Sequence, residues 1–395
     1  MPKALPSGPT LSPDTVMIIA GEASGDAHGA KLVLAMREKN PRIPFVGIGG
    51  GRMAAAGVDI RVDASDLSVV GITEVLSKAK NILRAMSAAK QLLRQGPGLL
   101  ILIDYPDFNL HVAGCAKKRG IPVLYYISPQ IWAWRSGRVH KIGRRIDHMA
   151  VILPFEAAFY RRHGIAATFV GHPLMDGAKE TPGSEDYAER LGGPPVIGLL
   201  PGSREGEIER LLPVMLDAAV ILRRRHPGAR FLLSRSPSVS PGRFAAVMAA
   251  ERHPPDIEVV SGDLANIHRR ATLVVAASGT ATLETALAGL PMVVIYKVSP
   301  VSYRLGKALI RVDHISLVNL IAEKRLVPEL VQEDACPERV AGTVTALLSD
   351  REGLMKTRRA LMALRARLGQ SGASARTAEI ALKLLAGAKR RFCHD

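Results

Sequence analysis

A glycine, a serine and an arginine follow an apolar run in VIGLLPGSREGEIERLL (196–212), just before a helical pattern begins. The free N–H groups of a helix N-terminus attract anions, and a guanidinium beside them binds phosphate oxygens. Gly202, Ser203 and Arg204 are therefore predicted to bind a diphosphate, although the G-x-x-x-x-G-K-[ST] spacing of a P-loop is absent. The alternative is an ordinary helix that Ser203 caps, with Arg204 on the surface.

A second segment of this kind is LVVAASGTATLETALAGLPMVVIY (273–296). A buried strand is predicted to end at Ser278, and Gly279 and Thr280 open a helix whose first amides suit phosphate. Glu284 lies one turn further on the same face and could accept hydrogen bonds from a ribose diol. The alternative is a buried, capped helix whose dipole favours the acid. Because two such loops occur in one half of the chain, a nucleotide-diphosphate site is the favoured interpretation.

In the N-terminal half, acidic residues occupy the positions that follow the predicted strands. In LLILIDYPDFNLHVAG (99–114), Asp104 comes directly after an apolar strand pattern. Pro106 argues against immediate continuation as a helix, so residues 104–109 are predicted to form a turn. A carboxylate at a strand end can act as a general base, which makes Asp104 the candidate. Asp107 is better explained as a turn or N-cap residue.

The loop GEASGD (21–26) joins an apolar run that ends at Ala20 to a helical pattern that starts near Ala27. A glycine loop between a strand and a helix usually binds phosphate, but the carboxylates of Glu22 and Asp26 would repel it. Sugar hydroxyls or amides are better partners, because an ionised carboxylate only accepts hydrogen bonds.

Two further segments combine apolar and basic residues. YYISPQIWAWRSGRVHKIGRR (125–145) contains both tryptophans of the chain, Trp132 and Trp134. These suit a sugar face or a lipid, and core packing is the alternative. SVVGITEVLSKAKNILRAM (68–86) has apolar residues at helical spacing. It is either a core helix or a basic amphipathic helix on a membrane surface.

Alternating strand and helix patterns must position these segments. Strands are predicted at 15–20, 44–48, 99–103, 122–127, 148–152, 196–200, 229–234, 257–260, 272–276 and 291–295. Helices are predicted at 27–38, 70–94, 109–119, 205–225, 241–251, 280–288 and over about 337–387. Continuous apolar strands that alternate with helices indicate parallel sheets covered on both faces, so the fold class is α/β.

The chain is predicted to contain two doubly wound, Rossmann-like domains, because the segment 171–195 is rich in glycine, proline and charge. We expect a disordered tail at 1–14, a first domain at 15–175 and a second domain at 176–345. The C-terminal helices at 346–395 are expected to pack back across the junction. Ligands of such sheets bind at the carboxyl ends of the strands. Two domains that face each other would place both sets of loops across one cleft.

Composition narrows the classes of function. The formal net charge of +17 favours anionic partners. No RNA-binding signature or basic stretch with interleaved aromatics occurs, so nucleic acid is not an expected partner. Cys115, Cys336 and Cys393 show no disulfide or zinc spacing, which indicates a reducing cytosol. No apolar stretch reaches the roughly 18 residues of a membrane span.

Seven ordered motifs between Val16 and Gln332 resemble those of the lipid-A-disaccharide synthase family, glycosyltransferases of the GT-B type. They are GEASGD, IDYPDFN, SPQIWAWR, GHPL, LPGSR, SGTATLE and SLVNLI. The resemblance implies a GT-B fold whose first domain binds the acceptor and carries the catalytic residues. The second domain would bind a UDP-sugar.

The resemblance implies transfer of 2,3-diacylglucosamine from UDP-2,3-diacylglucosamine to 2,3-diacylglucosamine 1-phosphate, with inversion at the anomeric carbon. Asp104 would be the base, and Glu22 would face the reacting sugars. Ser24 and Asp26 would fix the turn and cap the next helix, while Asn319 in SLVNLI would contact the donor or its phosphate.

No metal and no cofactor are implied. Because the substrates are lipids, peripheral binding at the inner face of the cytoplasmic membrane is implied, and a homodimer is left open. Another GT-B enzyme on UDP-amino sugars, a transferase or a 2-epimerase, is the nearest alternative, and GEASGD together with IDYPDFN argues against it. A basic nucleic-acid-binding protein is the alternative of a different class, and it predicts salt-dependent binding and no UDP site.

Overall fold

The computed structural model describes residues 10–64, 75–134, 136–176, 184–250, 256–299, 303 and 313–392. The chain divides into two compact units. The first unit comprises Met1–Gly177 and Leu368–Asp395, and the second comprises Ala178–Arg367. Each unit is built on one parallel sheet.

The first unit has a seven-stranded parallel sheet. Its strands are β1 (Val16–Ala20), β2 (Phe45–Gly49), β3 (Asp59–Asp63), β4 (Leu99–Ile103), β5 (Val123–Tyr126), β6 (His148–Val151) and β7 (Ala167–Phe169). Their order in the sheet is β3-β2-β1-β4-β5-β6-β7. Met17 and Ile19 of β1 pack into one core, and Val16 and Ile18 pack into another on the opposite face. Burial on both faces explains why the central strands are continuously apolar.

The sequence patterns did not predict the two edge strands, β3 and β7. The side chains of β3 are half-buried or exposed along its whole length, and β7 has only three residues. An edge strand is covered less than a central one, so it does not need the continuous apolar run that identified the other five.

Seven helices of the described residues precede the second unit. They are α1 (Ala23–Lys39), α2 (Gly51–Ala55), α3 (Val75–Arg94), α4 (Pro106–Lys117), α5 (Ile131–Trp134), α6 (Val139–Gly143) and α7 (Pro154–Arg162). α1 begins at Ala23 rather than near Ala27, so most of GEASGD is helical. α4 begins at Pro106 rather than at 109, because proline has no N–H group to leave unpaired in a first helical turn. The predicted turn 104–109 is therefore limited to Asp104 and Tyr105.

The helix predicted at 68–86 is described in part, since residues 65–74 lie outside the described residues, as do residues 1–9 of the predicted tail. In the later turns of α3, Ala85 and Ala89 are buried in the core. Leu83, by contrast, is 68% exposed. Among the described helices, none combines the length and the apolar character needed to cross a membrane.

The second unit has a six-stranded parallel sheet. Its strands are β8 (Val196–Leu200), β9 (Arg230–Arg235), β10 (Glu258–Ser261), β11 (Leu273–Ala277), β12 (Met292–Tyr296) and β13 (Glu329–Val331), in the order β10-β9-β8-β11-β12-β13. Its described helices are α8 (Ser184–Gly192), α9 (Glu205–Arg225), α10 (Pro241–Ala250), α11 (Leu264–Arg270), α12 (Thr280–Leu287), α13 (Leu317–Ala322), α14 (Pro337–Ser349) and α15 (Arg351–Arg367). The short edge strand β13 was not predicted.

The last helix, α16 (Ala373–Phe392), returns to the first unit. Its Ala378, Ala381 and Leu385 are buried in the same core as Val16 and Ile18. A carboxylate oxygen of Asp176 accepts hydrogen bonds from the amides of residues 372 (2.6 Å) and 373 (3.2 Å). These bonds cap the start of α16.

Candidate active site

Asp104 lies in a two-residue turn at the carboxyl end of β4. Asp104 and Tyr105 both have left-handed backbone angles, with φ of 47° and 46°. This conformation costs about 1–3 kcal/mol for a residue other than glycine. The Asn109 side chain donates to the carbonyl oxygens of Ile103 (3.1 Å) and Asp104 (2.6 Å). The Tyr125 hydroxyl also donates to the Asp104 carbonyl (2.5 Å), so the backbone of the candidate base is held from two sides.

Glu22 reaches the same edge of the sheet as Asp104. β1 and β4 are neighbouring parallel strands in which Ala20 pairs with Ile103. Glu22 follows one strand end, and Asp104 follows the other. Burial raises the pKa of Tyr105, and the negative charge of Glu22 adds to this effect. The structure thus brings the two predicted acids to adjacent strand ends.

Asp26 does not cap its own helix, contrary to the prediction. Its carboxylate accepts hydrogen bonds from the amides of Gly50 (2.7 Å), Arg52 (3.0 Å) and Met53 (3.0 Å). These amides lie at the start of α2, where N–H groups lack partners within the helix. Ser24 lies in the first turn of α1 and is exposed, so it does not fix the turn as predicted.

Asp107 lies in the first turn of α4 and forms an ion pair with Arg138, at 2.7 Å between Oδ1 and Nη1. Its side chain is 73% exposed. The helix dipole favours an acid at this position. Asp107 thus has a structural explanation, and Asp104 remains the candidate base.

A buried carboxyl group that sequence analysis did not identify lies at the same edge of the sheet. Glu156, in the first turn of α7, is 1% exposed. The Ser128 hydroxyl (2.6 Å) and the Trp132 indole N–H (3.1 Å) donate to its Oε1, and the Leu153 amide (3.0 Å) donates to Oε2. Burial raises the pKa of Glu156 to about 7, although these hydrogen bonds oppose the shift. The Trp132 ring makes an edge contact with Phe155, with centroids 4.7 Å apart.

The LPGSR loop of the second unit is closed by Glu207. Its Oε2 accepts hydrogen bonds from the amides of Ser203 (2.9 Å) and Arg204 (3.3 Å). Gly202 has φ of 114°, and a Cβ there would lie 2.3 Å from the same oxygen. Glycine is therefore required at this position. The Ser238 hydroxyl braces the loop from the end of β9 by donating to the Ser203 carbonyl (2.8 Å).

The occupied amides change how an anion can bind to this loop. α9 begins at Glu205 with Arg204 at the N-cap position, so Ser203 does not cap this helix. Because Glu207 already accepts from two amides, a diphosphate that binds them must displace this carboxylate. The Arg204 side chain is 73% exposed, and its Nη1 lies 3.9 Å from Glu207 Oε1. Most of this side chain is therefore accessible to an anion.

The SGTATLE loop follows β11, the strand that pairs with β8. α12 begins at Thr280 with Gly279 at its N-cap position, and both residues are exposed. Ser278 is half-buried, and its hydroxyl donates to the Ile315 carbonyl (3.2 Å). Glu284 is half-buried on the same helix, and burial raises its pKa. The LPGSR and SGTATLE loops thus lie at adjacent strand ends.

Asn319 is not available to a ligand, contrary to the prediction. It is 0% exposed. Its Oδ1 accepts from the amides of Leu326 (2.8 Å) and Val327 (3.0 Å). Its Nδ2 donates to the Val327 carbonyl (2.9 Å) and the Glu329 carboxylate (2.8 Å), so all four hydrogen-bonding positions are used. Asn319 instead holds Glu329, which accepts from the Ser316 hydroxyl (2.7 Å).

The remaining predicted residues form one group in each unit. Glu22 and Asp104 follow adjacent strands of the first sheet, and the LPGSR and SGTATLE loops follow adjacent strands of the second. Both groups lie at the carboxyl ends of parallel strands, where doubly wound folds bind ligands. Within the described residues, no three histidine, cysteine or acidic side chains are grouped as a metal site requires. One unit thus offers carboxylates, and the other offers amides, hydroxyls and a guanidinium.

Comparison with known sequences identifies a family. The profile of the lipid-A-disaccharide synthetase family matches residues 16–384. The chain is 47% identical over 374 residues to the lipid-A-disaccharide synthase of Geobacter sulfurreducens, which covers 94% of this chain and 97% of that protein. It is 49% identical over 377 residues to the lipid-A-disaccharide synthase of Syntrophus aciditrophicus, with coverage of 94% and 97%.

Solved structures of other proteins share the fold. MurG of Acinetobacter baumannii aligns with a TM-score of 0.56 at 16% identity, over 93% of this chain and 99% of that one. The UDP-GlcNAc 2-epimerase of Neisseria meningitidis, solved with UDP-GlcNAc bound, aligns with a TM-score of 0.60 at 11% identity, over 94% of this chain and 100% of that one. At such identities the likeness establishes the fold alone, which is the predicted GT-B type.

Proposed function

Because the chain belongs to the lipid-A-disaccharide synthase family of glycosyltransferases, we propose that it transfers 2,3-diacylglucosamine from UDP-2,3-diacylglucosamine to 2,3-diacylglucosamine 1-phosphate. The products are UDP and the β-1,6-linked disaccharide 1-phosphate. The observation that carries the proposal is Asp104, a carboxylate at a strand end whose turn is held by hydrogen bonds. Glu22 follows the adjacent strand, where it can accept hydrogen bonds from sugar hydroxyls.

Asp104 acts as the general base. Its carboxylate takes the proton of the acceptor 6-hydroxyl while that oxygen forms a bond to the anomeric carbon of the donor. The bond from this carbon to the UDP oxygen breaks on the opposite face, and its electron pair leaves with UDP. One displacement therefore inverts the anomeric centre. Because its backbone is already fixed, Asp104 loses little freedom on reaching the reactive geometry.

The second unit stabilises the departing UDP. The groups that bind its diphosphate are amides, hydroxyls and a guanidinium from the two loops, namely Gly202, Ser203, Arg204, Ser278, Gly279 and Thr280. They supply positive potential where negative charge develops on the leaving group. Glu284 accepts hydrogen bonds from the ribose. When the diphosphate binds, the Glu207 carboxylate leaves the LPGSR amides, and a phosphate oxygen takes its place.

The protein is proposed to act at the inner face of the cytoplasmic membrane, where its lipid substrates lie. The net charge is +17, and α3 exposes Lys80, Arg84 and Lys90 together with Leu83. An anionic bilayer attracts each basic residue near its surface by about 1 kcal/mol. Replacing Leu83 by Ser should weaken flotation with anionic vesicles. Binding as strong as that of the wild type would remove this face of α3 from the membrane contact.

Mass spectrometry of the products tests the proposed reaction. UDP-2,3-diacylglucosamine and 2,3-diacylglucosamine 1-phosphate should give UDP and one disaccharide 1-phosphate in equal amounts. A 2-epimerase, which has the same fold, would instead change the configuration of the UDP-sugar without any acceptor. Epimerised donor with no disaccharide would contradict the proposal.

A further inference from the structure

Glu156 joins three segments at the carboxyl edge of the first sheet. It belongs to α7, its partners Ser128 and Trp132 follow β5, and its partner Leu153 follows β6. Glu156 is 1% exposed and Ser128 is 6% exposed. The carboxyl group is therefore out of reach of a substrate, and any effect on the reaction must pass through the residues that it holds.

A carboxylate is an unusual choice for packing alone. Transferring a charged group out of water costs several kcal/mol, so an apolar side chain would serve packing better. The three neighbours of Glu156 all donate hydrogen bonds, and an ionised carboxylate is a group that can accept from all of them at once. The arrangement fixes the orientation of these neighbours rather than filling space.

The Trp132 indole is the largest group that this carboxylate orients. The hydrogen bond from its N–H and the edge contact with Phe155 hold the ring on two sides. Trp132 is half-buried, so part of the ring lies outside the core. β5 pairs with β4, and neighbouring strands lie about 4.8 Å apart. The segment that carries Trp132 therefore starts at the strand end next to that of Asp104.

We propose that Glu156 is a positioning residue for the acceptor, because it holds the Trp132 indole as a wall for the apolar face of the acceptor sugar ring beside Asp104. The inference rests on the proposed function. Aromatic side chains are common in the walls of ligand sites, and an indole that is already fixed loses little entropy when a ligand packs against it. The wall acts on the acceptor, since UDP is proposed to bind in the second unit.

Steady-state kinetics of matched variants test this role. Glu156→Ala and Trp132→Ala should raise the KM for the acceptor about tenfold and leave the KM for the donor within about twofold, because binding to one substrate is lost. Glu156→Gln keeps an oxygen for Ser128 and Trp132, so it should retain most of the acceptor affinity. The control is Glu379→Gln, which makes the same change at an exposed ion pair with Lys39 in the same unit.

Tryptophan fluorescence gives a readout that does not depend on catalysis. The chain has two tryptophans, so Trp134→Phe leaves Trp132 as the reporter. In this background, Glu156→Ala should shift the Trp132 emission to longer wavelength, because the freed indole meets water. Adding 2,3-diacylglucosamine 1-phosphate in micelles should change the emission. Phosphatidic acid, which has acyl chains and phosphate but no sugar, should not.

The outcomes separate this inference from the proposed reaction. An unchanged acceptor KM in folded Glu156→Ala protein would overturn it, as would equal emission changes with both lipids. A general loss of folding would change both KM values and the emission without lipid selectivity, and would likewise overturn it. If the wild type forms no disaccharide but the Trp132 emission still responds to the sugar lipid alone, the transfer reaction fails and the acceptor contact stands.

Discussion

The ring of Tyr105 lies directly over Gly21, so that a Cβ on Gly21 would be 2.5 Å from Cγ of the ring. The two residues come from GEASGD and IDYPDFN, which are far apart in the sequence and follow neighbouring strands. A side chain at position 21 would push Tyr105 and, with it, the left-handed turn that carries Asp104. The two motifs therefore form one structure around the candidate base.

Replacing Gly21 by Ala should lower both stability and turnover. Overpacking of this kind costs about 1–3 kcal/mol, and a displaced Tyr105 moves Asp104. Denaturant unfolding and a product assay measure the two effects. Gly51→Ala is the control, because a Cβ on Gly51 meets no atom within 4 Å. Wild-type turnover in Gly21→Ala would show that Tyr105 moves without disturbing the base.

Replacing Asp104 by Ala should reduce turnover at least about 100-fold, as the loss of a general base predicts. Asp104→Asn preserves the shape of the side chain and the backbone bonds from Asn109 and Tyr125. It should lose activity to the same extent, with an unchanged unfolding midpoint and unchanged affinity for UDP. Near-normal turnover of folded Asp104→Asn protein would remove Asp104 from the role of base.

Arg204→Ala should weaken UDP binding, and Glu207→Gln should strengthen it. A hydrogen bond to a charged group contributes about 1.5–3 kcal/mol, which is roughly tenfold or more in Kd. The glutamine keeps an oxygen for the loop amides but removes the charge that competes with the diphosphate. Calorimetry with UDP measures both affinities. Unchanged binding in Arg204→Ala would place the diphosphate elsewhere, and weaker binding in Glu207→Gln would show that Glu207 builds the site.

Asn319→Ala should destabilise the protein by about 2–4 kcal/mol, because it leaves buried amides without an acceptor. The amides concerned are those of Leu326 and Val327. Unfolding by denaturant measures the loss. Under conditions in which the variant is fully folded, its affinity for UDP should be close to that of the wild type. A folded variant that no longer binds UDP would restore Asn319 as a direct contact.

Two buried histidines, His172 and His268, and the half-buried His28 should make the fold sensitive to acid. Burial lowers the pKa of His28, His172 and His268 from 6.5 to about 4. The unfolded chain therefore binds protons before the folded one does. Stability should fall as the pH drops from 6.5 towards 4, by at most roughly 3 kcal/mol for each histidine. Unfolding midpoints measured from neutral pH down to about 4 give the slope of stability against pH.

His268→Gln should flatten this slope, since it removes one titrating group that bonds to the Thr285 hydroxyl (3.1 Å). Glu156 acts in the opposite direction, because its pKa is raised from 4.5 to about 7 and stability therefore falls as the pH rises through that range. A Glu156→Gln background removes this offset. If His268→Gln does not change the dependence of stability on pH in the Glu156→Gln background, His268 titrates alike in the folded and unfolded chains.

The elements that carry the candidate site could be read from the sequence because they are buried on both faces. β1, β4, β8 and β11 are short apolar runs, and each ends where the chain turns towards a helix. Their chemistry-bearing residues follow the run directly, as Asp104 follows β4. The order of residues along the chain was therefore enough to predict that Glu22, Asp104 and the two loops of the second unit follow strand ends.

Contacts between distant segments could not be read in this way. Asp26 looked like the cap of its own helix, but it caps α2. The family resemblance implied that Asn319 contacts the donor or its phosphate, whereas its partners lie on a later loop. Glu156 was not identified, since two of its three partners come from an earlier strand end.

The position of α16 has a consequence for the order in which the chain is made. Its Ala378 and Leu385 complete the core around Val16 and Ile18, yet the ribosome must first synthesise all of the second unit, Ala178–Arg367. At roughly 5–20 residues per second, that interval lasts about 10–40 s. The second unit can fold while it emerges, whereas part of one apolar face of the first sheet stays uncovered until α16 has been made. A chain released before α16 would thus keep the strand ends that carry the candidate site but lack part of the core beneath them.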